Sequence, residues 1–212
     1  MLLPSIDKAK RSQLLEDLNY LNMGEIKAFC DKHAIAYAIW IKGKNGERRR
    51  TRDQDRKGVI LKRIRHFWLT GNILGPTVFP QIVVDFHTTP RKIRATSRLF
   101  YGQYDKNSRR MVELLKRLTN GRFRNGAIAR IVARDFWSRG KAPTFEQFAR
   151  EWMKAAAAHK KPNPEWAFLS DLSETNDTFR WRQKRNAKAR RVIAVLSRIK
   201  TSHVGRNTVA RR

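Results

Sequence analysis

The stretch that decides the predicted fold is residues 21–71, which read LNMGEIKAFCDKHAIAYAIWIKGKNGERRRTRDQDRKGVILKRIRHFWLTG. Its first part is apolar at helical spacing and predicts a short helix that ends near His33. Asn22 is followed three residues later by Glu25, which is the pattern of a capping box at the start of that helix. The apolar positions of this helix are Leu21, Met23, Ile26, Phe29 and Cys30.

Two extended runs in residues 36–51 flank an Asn-Gly pair at 45–46. An Asn-Gly pair readily takes the positive φ angles of a tight turn, so we predict a small β-hairpin here. A second helix is predicted over residues 56–70, with Asp55 as its N-cap and Gly71 as its end. The apolar positions of that second helix are Val59, Ile60, Ile64, Phe67 and Trp68.

These residues resemble the SAP module, a helix–extended loop–helix module of DNA-binding proteins. The resemblance covers about residues 18–71 and includes Glu-Ile-Lys at 25–27 and Lys-x-x-Ile-Leu-x-Arg-Ile at 57–64. It implies binding to double-stranded, often AT-rich, DNA. The matching positions are Leu21, Met23, Glu25, Ile26, Lys27, Cys30, Ala34, Ile35, Lys57, Ile60, Leu61, Arg63 and Ile64, with Ala34 where Gly is usual. The segment between the two helices, residues 36–55, is longer than the loop of that family.

Charge is the strongest compositional signal in the chain. Its 212 residues hold 47 Lys+Arg against 18 Asp+Glu, a formal net charge of +29. Self-repulsion of this size destabilises a compact chain unless a polyanion neutralises it. Nucleic acid is therefore the expected partner, and an anionic membrane surface is the alternative that we disfavour.

The apolar fraction of 41% predicts a folded protein. The single cysteine, Cys30, is expected to be a small core residue in a reducing cytosol. No segment reaches the 18 or so apolar residues that a membrane span needs, and residues 1–8 are too short an apolar run for a signal peptide. We therefore expect a cytoplasmic, nucleoid-associated protein.

The fold class predicted is mainly α with minor β. An N-terminal SAP-like helix–hairpin–helix module occupies residues 1–72, and a linker with a short strand at 81–86 occupies 73–90. A helical domain follows at 91–200, with a basic disordered tail at 201–212. Residues 135–152 of the helical domain loosely resemble a domain that follows SAP-like segments in some bacterial proteins, which favours a bacterial or phage origin. Within the helical domain, helices are expected to start at Asn107 or Ser108, at Asn125, at Thr144, at Asn163-Pro164, and at Asn176 or Asp177.

Each candidate catalytic group has a structural explanation that we prefer. Asp53 and Asp55 are spaced like a carboxylate pair for a metal, but Asp55 precedes a helix where a carboxylate caps free N–H groups. Asp85 and His87 lack a third ligand at recognisable spacing. Trp68, Trp137 and Trp152 lie on apolar helix faces and are expected to pack in the core. Trp40 lies beside basic residues, and packing and ligand contact are equally consistent with its position.

We predict a non-enzymatic protein that binds duplex DNA and holds neither a cofactor nor a metal. An RNA-binding or ribosome-associated protein is the first alternative, and a nuclease built on Asp53, Asp55 or Asp85 is the second. The oligomeric state is left open. The predicted DNA contacts are Lys42, Lys44, Arg48, Arg49, Arg50, Arg52, Arg56, Lys57, Lys62, Arg63, Arg180, Lys184, Arg185, Lys188 and Arg191.

The last helix carries seven basic residues and no acid between Arg180 and Arg191. One interpretation is a solvated charged helix. Our hypothesis is that this half gains little from packing, frays when alone and becomes ordered along a phosphate backbone. Apolar residues further along the helix are expected to anchor only its far end.

Overall fold

A computed structural model of the chain describes residues 6–87, 92–105, 107–158 and 177–199. The described α-helices are α1 Lys8–Asp17, α2 Met23–Lys32, α3 Lys57–Thr70, α4 Arg109–Leu118, α5 Ala127–Ser138, α6 Phe145–Ala158 and α7 Thr178–Leu196. The strands are β1 Ala38–Lys42, β2 Arg48–Gln54 and β3 Thr77–Pro80. Short 3₁₀ turns lie at Leu18–Tyr20 and Gln81–Val83.

The chain divides into two compact units that alternate along the sequence. Unit 1 comprises Met1–Tyr37, Asp55–Gly75 and Pro162–Arg212. Unit 2 comprises Ala38–Gln54 and Pro76–Lys161. Each unit has its own cluster of buried apolar side chains.

The ends of α2 and α3 in unit 1 follow the predicted local rules. The Asn22 side chain accepts a hydrogen bond from the Glu25 N–H at 2.8 Å, and the Glu25 carboxylate accepts one from the Asn22 N–H at 2.7 Å. This confirms the capping box. Gly71 ends α3 with φ 79°, and its N–H donates to the Phe67 carbonyl at 2.8 Å. Only glycine takes this conformation without strain, so the helix ends where expected.

The predicted cap of α3 is wrong. The N-cap is Arg56, whose side chain makes no capping bond. Asp55 is instead buried, and its Oδ2 accepts a hydrogen bond from Arg63 Nη1 at 2.7 Å. A buried guanidinium needs a charge partner more than a helix end needs a cap, because water satisfies an exposed helix end and cannot reach the buried cation.

The core of unit 1 joins residues from all three of its sequence segments. Helix α7 buries Ala189, Val192 and Leu196, and Ile199 beyond the helix is also buried. These side chains belong to the same cluster as residues of α1, α2 and α3, among them Leu14, Leu18, Ile26, Phe29, Ile60, Ile64 and Trp68. The apolar end of α7 therefore anchors it, as expected.

The sheet of unit 2 has the order β2-β1-β3. Strand β1 pairs antiparallel with β2, which confirms the hairpin, and parallel with β3. The apolar residues Ile39 and Ile41 of β1 are buried with Phe79 of β3. The strand predicted at 81–86 is wrong: the strand ends at Pro80, and residues Gln81–Val83 form a 3₁₀ turn.

Helices α4, α5 and α6 complete unit 2. Ser108 caps α4, and Thr144 and Gln147 form the predicted reciprocal pair before α6, with N–H to side-chain distances of 2.9 and 3.1 Å. Trp137 and Trp152 are buried in the same cluster as Phe79, Leu115 and Phe148. Trp137 also donates its indole N–H to the Leu99 carbonyl at 3.0 Å. Core packing of these two tryptophans is therefore confirmed.

The predicted fold class is wrong in its arrangement. A mainly helical chain with little β-structure was expected, but the N-terminal helix–hairpin–helix module followed by a helical domain is not what forms. The hairpin belongs to unit 2, because β1 pairs with β3 and buries its isoleucines there. Helix α7 belongs to unit 1 with α1 to α3. The predicted domains follow one another along the chain, and their ranges stay a prediction. The two compact units, by contrast, are each made of separate sequence segments.

The short helix predicted after Asn163 and the basic tail at 201–212 lie outside the described residues. Among the described helices, none is long and apolar enough to cross a membrane.

Candidate nucleic-acid interface

Strand β2 presents a row of arginines at the edge of the sheet. Its residues pair with β1 alone among the described strands, so its other side has no strand neighbour there. Arg48 lies opposite Lys42, and Arg49 lies opposite Ile41. Because side chains alternate between the two faces of a strand, Arg49 shares the face of the buried Ile41, and Arg48 and Arg50 share the other face.

An irregularity in β2 turns the strand next to these arginines. The pairing shifts between Ala38 and Trp40, and the Thr51 hydroxyl donates to the Ile39 carbonyl at 2.8 Å. The same Thr51 oxygen accepts from the Asp53 N–H at 3.2 Å. Such a bulge redirects the side chains around it. Residues 49–53 consequently line one side of a groove in unit 2.

This hairpin groove has a volume of about 810 Å³ and is lined by five arginines. Arg49, Arg50 and Arg52 come from β2 and Arg130 and Arg134 from α5. Residues four apart on a helix lie on the same face, which explains why both α5 arginines reach the groove. Its acids are Asp53 and Asp105, so the lining is basic overall.

Aromatic side chains form the remainder of the lining. Tyr101 and Trp137 are buried, Tyr104 is half-buried and Phe86 is exposed. Burial, with a smaller contribution from Asp53, raises the pKa of Tyr101 to about 12. Its hydroxyl therefore keeps its proton and donates to Asp53 Oδ2 at 2.8 Å. This bond ties the bulged end of β2 to the core of unit 2.

Tyr104 is held in the same way from the other side. Burial raises its pKa to about 12, and its hydroxyl lies 2.7 Å from Asn125 Oδ1. Its ring contacts those of Trp137 and Phe148, with centroids 6.1 and 6.3 Å away. The aromatic side of the groove is thus fixed in position.

A second basic groove in unit 2, of about 840 Å³, is lined by Arg98, Arg139, Lys141, Arg150 and Lys154. Several of these cations are engaged with protein atoms. Arg98 donates to the Ala142 carbonyl at 3.0 Å, Arg139 to the Asp135 carbonyl at 3.0 Å, and Lys154 pairs with Glu151 at 2.9 Å. Phe100 and Phe136 also line this groove, and the Arg139 guanidinium carbon lies 5.3 Å from the centre of the Phe136 ring. We take the hairpin groove as the candidate because the exposed β2 arginines that the sequence predicted as contacts line it.

The predicted contacts are divided between the two units. Six of them, Lys42, Lys44, Arg48, Arg49, Arg50 and Arg52, are exposed on the hairpin of unit 2. In unit 1, Lys62 is exposed on α3, while Arg56 and Lys57 are half-buried. Lys57 donates to the Asn19 carbonyl. Trp40 is half-buried on β1 opposite Arg50.

Arg63 lies in the core of unit 1 and cannot contact a phosphate. Only 5% of its surface is exposed. Besides Asp55, it donates to the Ala36 carbonyl at 2.8 Å and the Gly75 carbonyl at 3.1 Å. These bonds use its guanidinium inside the protein, so Arg63 has a structural role.

On α7 the predicted contacts separate into two groups. Arg180 and Lys184 are exposed. Arg185 donates to the Tyr20 carbonyl at 3.0 Å and pairs with Glu25. Lys188 Nζ lies 3.8 Å from the centre of the Tyr20 ring, and Arg191 lies 3.0 Å from Asp17. Arg185, Lys188 and Arg191 therefore contact other residues of unit 1, which the expectation of little packing along the basic half did not include. Arg180, Arg182, Lys184 and Arg190 of the same half are exposed.

The carboxylates considered for catalysis each have protein partners. Asp53 accepts from Tyr101, and Asp55 pairs with Arg63. Asp85 accepts from the His87 N–H at 2.8 Å and from Gln103 at 2.6 Å. Within the described part of the chain, no group of three or more His, Cys, Asp or Glu side chains is placed to hold a metal ion.

No family model matches this chain, and no curated protein and no solved structure matches it either. The resemblance to the SAP module stays a prediction made from the residues.

Phe86, Arg130 and Arg134 are among the lining residues of the hairpin groove that sequence reasoning missed. The spacing of the two arginines on a predicted helix was a usable signal, since it puts both on one face. Phe86 gave no such signal, because its neighbours in the groove are distant in sequence.

Proposed function

We propose that this chain is a non-enzymatic DNA-binding protein, nucleoid-associated, that contacts the phosphate backbone of duplex DNA through the hairpin groove. The observation that carries the proposal is the convergence of exposed β2 arginines with two arginines of α5 around one groove of unit 2. The proposed contacts that line the groove are Arg49, Arg50, Arg52, Arg130 and Arg134. Lys42, Lys44 and Arg48, which are exposed on the same hairpin, are proposed as further phosphate contacts.

Guanidinium groups suit phosphate because each presents a planar set of donors that matches two phosphate oxygens. Contacts to phosphate set the position of a protein on the duplex and carry no sequence information directly. Binding should therefore be weakly selective for sequence and strongly dependent on salt. Non-specific affinity near physiological salt is expected at about 10⁻⁴ to 10⁻⁶ M.

The first experiment compares duplex DNA with structured RNA of equal phosphate number, in competition at matched salt. Preferential retention of the duplex DNA supports the proposal. Preferential retention of the RNA favours the RNA-binding alternative, because the net charge of +29 serves both polyanions equally. Affinity that does not change between low and high salt would contradict phosphate binding of either kind.

The second experiment replaces Arg48, Arg49 and Arg50 with Ala. Binding should weaken on every sequence, and the slope of log affinity against log salt should fall by about one unit per lost phosphate contact. The matched control replaces Lys116, Arg117 and Arg122, three exposed basic residues of unit 2 that do not line the groove. The control removes the same charge, so an equal loss in both variants would mean that only net charge matters.

A further inference from the structure

Phe86 is an exposed aromatic ring held rigidly beside the arginines of the hairpin groove. It exposes 57% of its surface, yet it lies within a well-bonded segment. The Asp85 N–H donates to the Tyr101 carbonyl and the Tyr101 N–H to the Val83 carbonyl, both at 2.9 Å. The Phe86 ring also meets the Tyr101 ring edge-to-face, with centroids 5.9 Å apart.

A glycine makes room for this ring. Gly102 has φ 100°, and a Cβ added there would lie 2.7 Å from Phe86 Cδ1 and 2.5 Å from the Asp85 carbonyl oxygen. Any side chain at this position would therefore push the ring away and strain the backbone. The local structure thus fixes an apolar ring at a surface site where burial alone would not keep it.

A cation already lies over this ring. The Arg49 guanidinium carbon lies 5.6 Å from the centre of the Phe86 ring. An aromatic ring and a guanidinium plane are the two kinds of surface on which proteins stack unpaired bases. Arg130 and Arg134 of α5 line the same groove, where their guanidinium groups can contact the phosphates that flank such a base.

We propose that an unpaired base of the bound nucleic acid stacks on the Phe86–Arg49 pair. This inference rests on the proposed function and makes it narrower: the ligand is DNA that carries a single-stranded stretch next to a duplex, such as an overhang or a gap. A base in a closed duplex is already stacked on both faces, so it cannot occupy this position.

The test measures the affinity of the full chain for a duplex with a short thymidine overhang and for the same duplex with an abasic overhang. Both ligands carry the same phosphates, so their affinity ratio reports base contacts alone. The wild-type protein should prefer the thymidine overhang. Phe86→Ala should reduce that preference by roughly 5- to 150-fold, which is the range of base–aromatic stacking, and leave abasic binding unchanged.

Two further variants separate stacking from folding. Phe86→Trp should keep the preference, because indole also stacks. Arg49→Lys keeps the positive charge but loses the planar guanidinium, so it should lower the preference while the salt slope stays the same. Phe179→Ala, which removes a ring that is 69% exposed on α7, is the control and should change nothing.

The possible failures are distinguishable. A wild-type protein that binds both overhangs equally, or a Phe86→Ala variant that keeps the full preference, overturns this inference and leaves phosphate binding standing. Loss of salt dependence, or an unaffected Arg48/Arg49/Arg50 variant, overturns the proposed function itself.

Discussion

Ala34 has a backbone conformation that favours glycine. It follows α2 with φ 55°, in the left-handed region. The Ile35 N–H donates to the Cys30 carbonyl at 2.9 Å, and Ile35 is buried. This is the geometry that commonly ends a helix, with glycine normally at the left-handed position. Residue 34 is also the position at which the SAP pattern usually has Gly.

Ala34→Gly should therefore stabilise unit 1 by about 1 kcal/mol, because glycine takes the left-handed conformation without the Cβ clash. Urea unfolding followed by far-ultraviolet circular dichroism measures the change. Gly71→Ala, at φ 79° after α3, is the reciprocal variant and should destabilise the protein. A lower free energy of unfolding for Ala34→Gly would contradict this explanation.

His33 makes the stability of unit 1 depend on pH. It is buried against the rings of Phe29 and Phe67, with centroids 4.4 and 5.2 Å away. Burial, and secondarily Lys32, lowers its pKa below the usual 6.5. The folded state thus keeps the ring neutral while the unfolded chain takes up a proton. The stability that this neutral ring contributes is present above the usual pKa and is lost as the pH falls below it.

The corresponding prediction compares wild type with His33→Phe. The unfolding free energy of the wild type should fall between about pH 7 and pH 5, and the fall should be smaller in the variant. His66→Gln on α3 is the control, since it also removes one histidine. Equal pH dependence in all three proteins would show that burial of His33 does not govern this effect.

Among the elements, the hairpin shows which features can be predicted from local sequence and which cannot. The Asn-Gly turn and the two strands were predictable, because turn chemistry is local. The pairing of β1 with β3 was not predictable. Ile39 and Ile41 required apolar cover, but several segments offered it, and the strand at residues 77–80 is separated from β1 in sequence by β2 and α3. The hairpin was therefore placed with α2 and α3 because they are its neighbours in sequence.

The candidate site was predictable to a similar extent. The basic row on β2 could be read directly, since charged residues on an edge strand remain exposed. Arg63 could not be separated from the other arginines by residue type. Its spacing of three residues from Ile60 and four from Phe67 was the usable signal, since it puts Arg63 on the buried face of α3. The groove itself needed α5 and Phe86, which join β2 only in the folded unit.

Helix α7 illustrates how an apolar patch can decide the position of a charged element. Leu196→Ala removes a side chain that is buried in the core of unit 1. It should cost roughly 2–5 kcal/mol, the usual range for such core truncations. Hydrogen exchange resolved by residue should show lost protection in α1 and α7.

Unit 2 provides the internal reference for this variant. Amides of α5 and α6 should keep their protection, because they pack in a separate apolar cluster. Ile193→Ala, an exposed position on the same helix, is the matched control and should change protection little. Equal loss of protection in α6 would contradict separate cores.

At the scale of the whole molecule, we expect the net charge of +29 to give stability and the proposed DNA binding opposite responses to salt. Raising the salt from low to moderate concentration should increase Tm, since screening weakens repulsion among the cations. The same change should weaken the proposed binding to DNA, because counterions released into more concentrated salt gain less entropy. Differential scanning fluorimetry and fluorescence anisotropy in the same buffers test the pair of outcomes, and a Tm that falls with salt would contradict the first.

The alternation of the two units along the sequence has a consequence for biosynthesis. A ribosome makes α1 and α2 before any of unit 2, but Val192 and Leu196, which share their core, are translated after all of it. Every residue of unit 2 is translated by Lys161, before α7 exists. Unit 2 can therefore complete its core before α7 is made, whereas the helices of unit 1 keep part of their apolar surface uncovered until α7 is made. We therefore expect unit 1 to complete its core after unit 2.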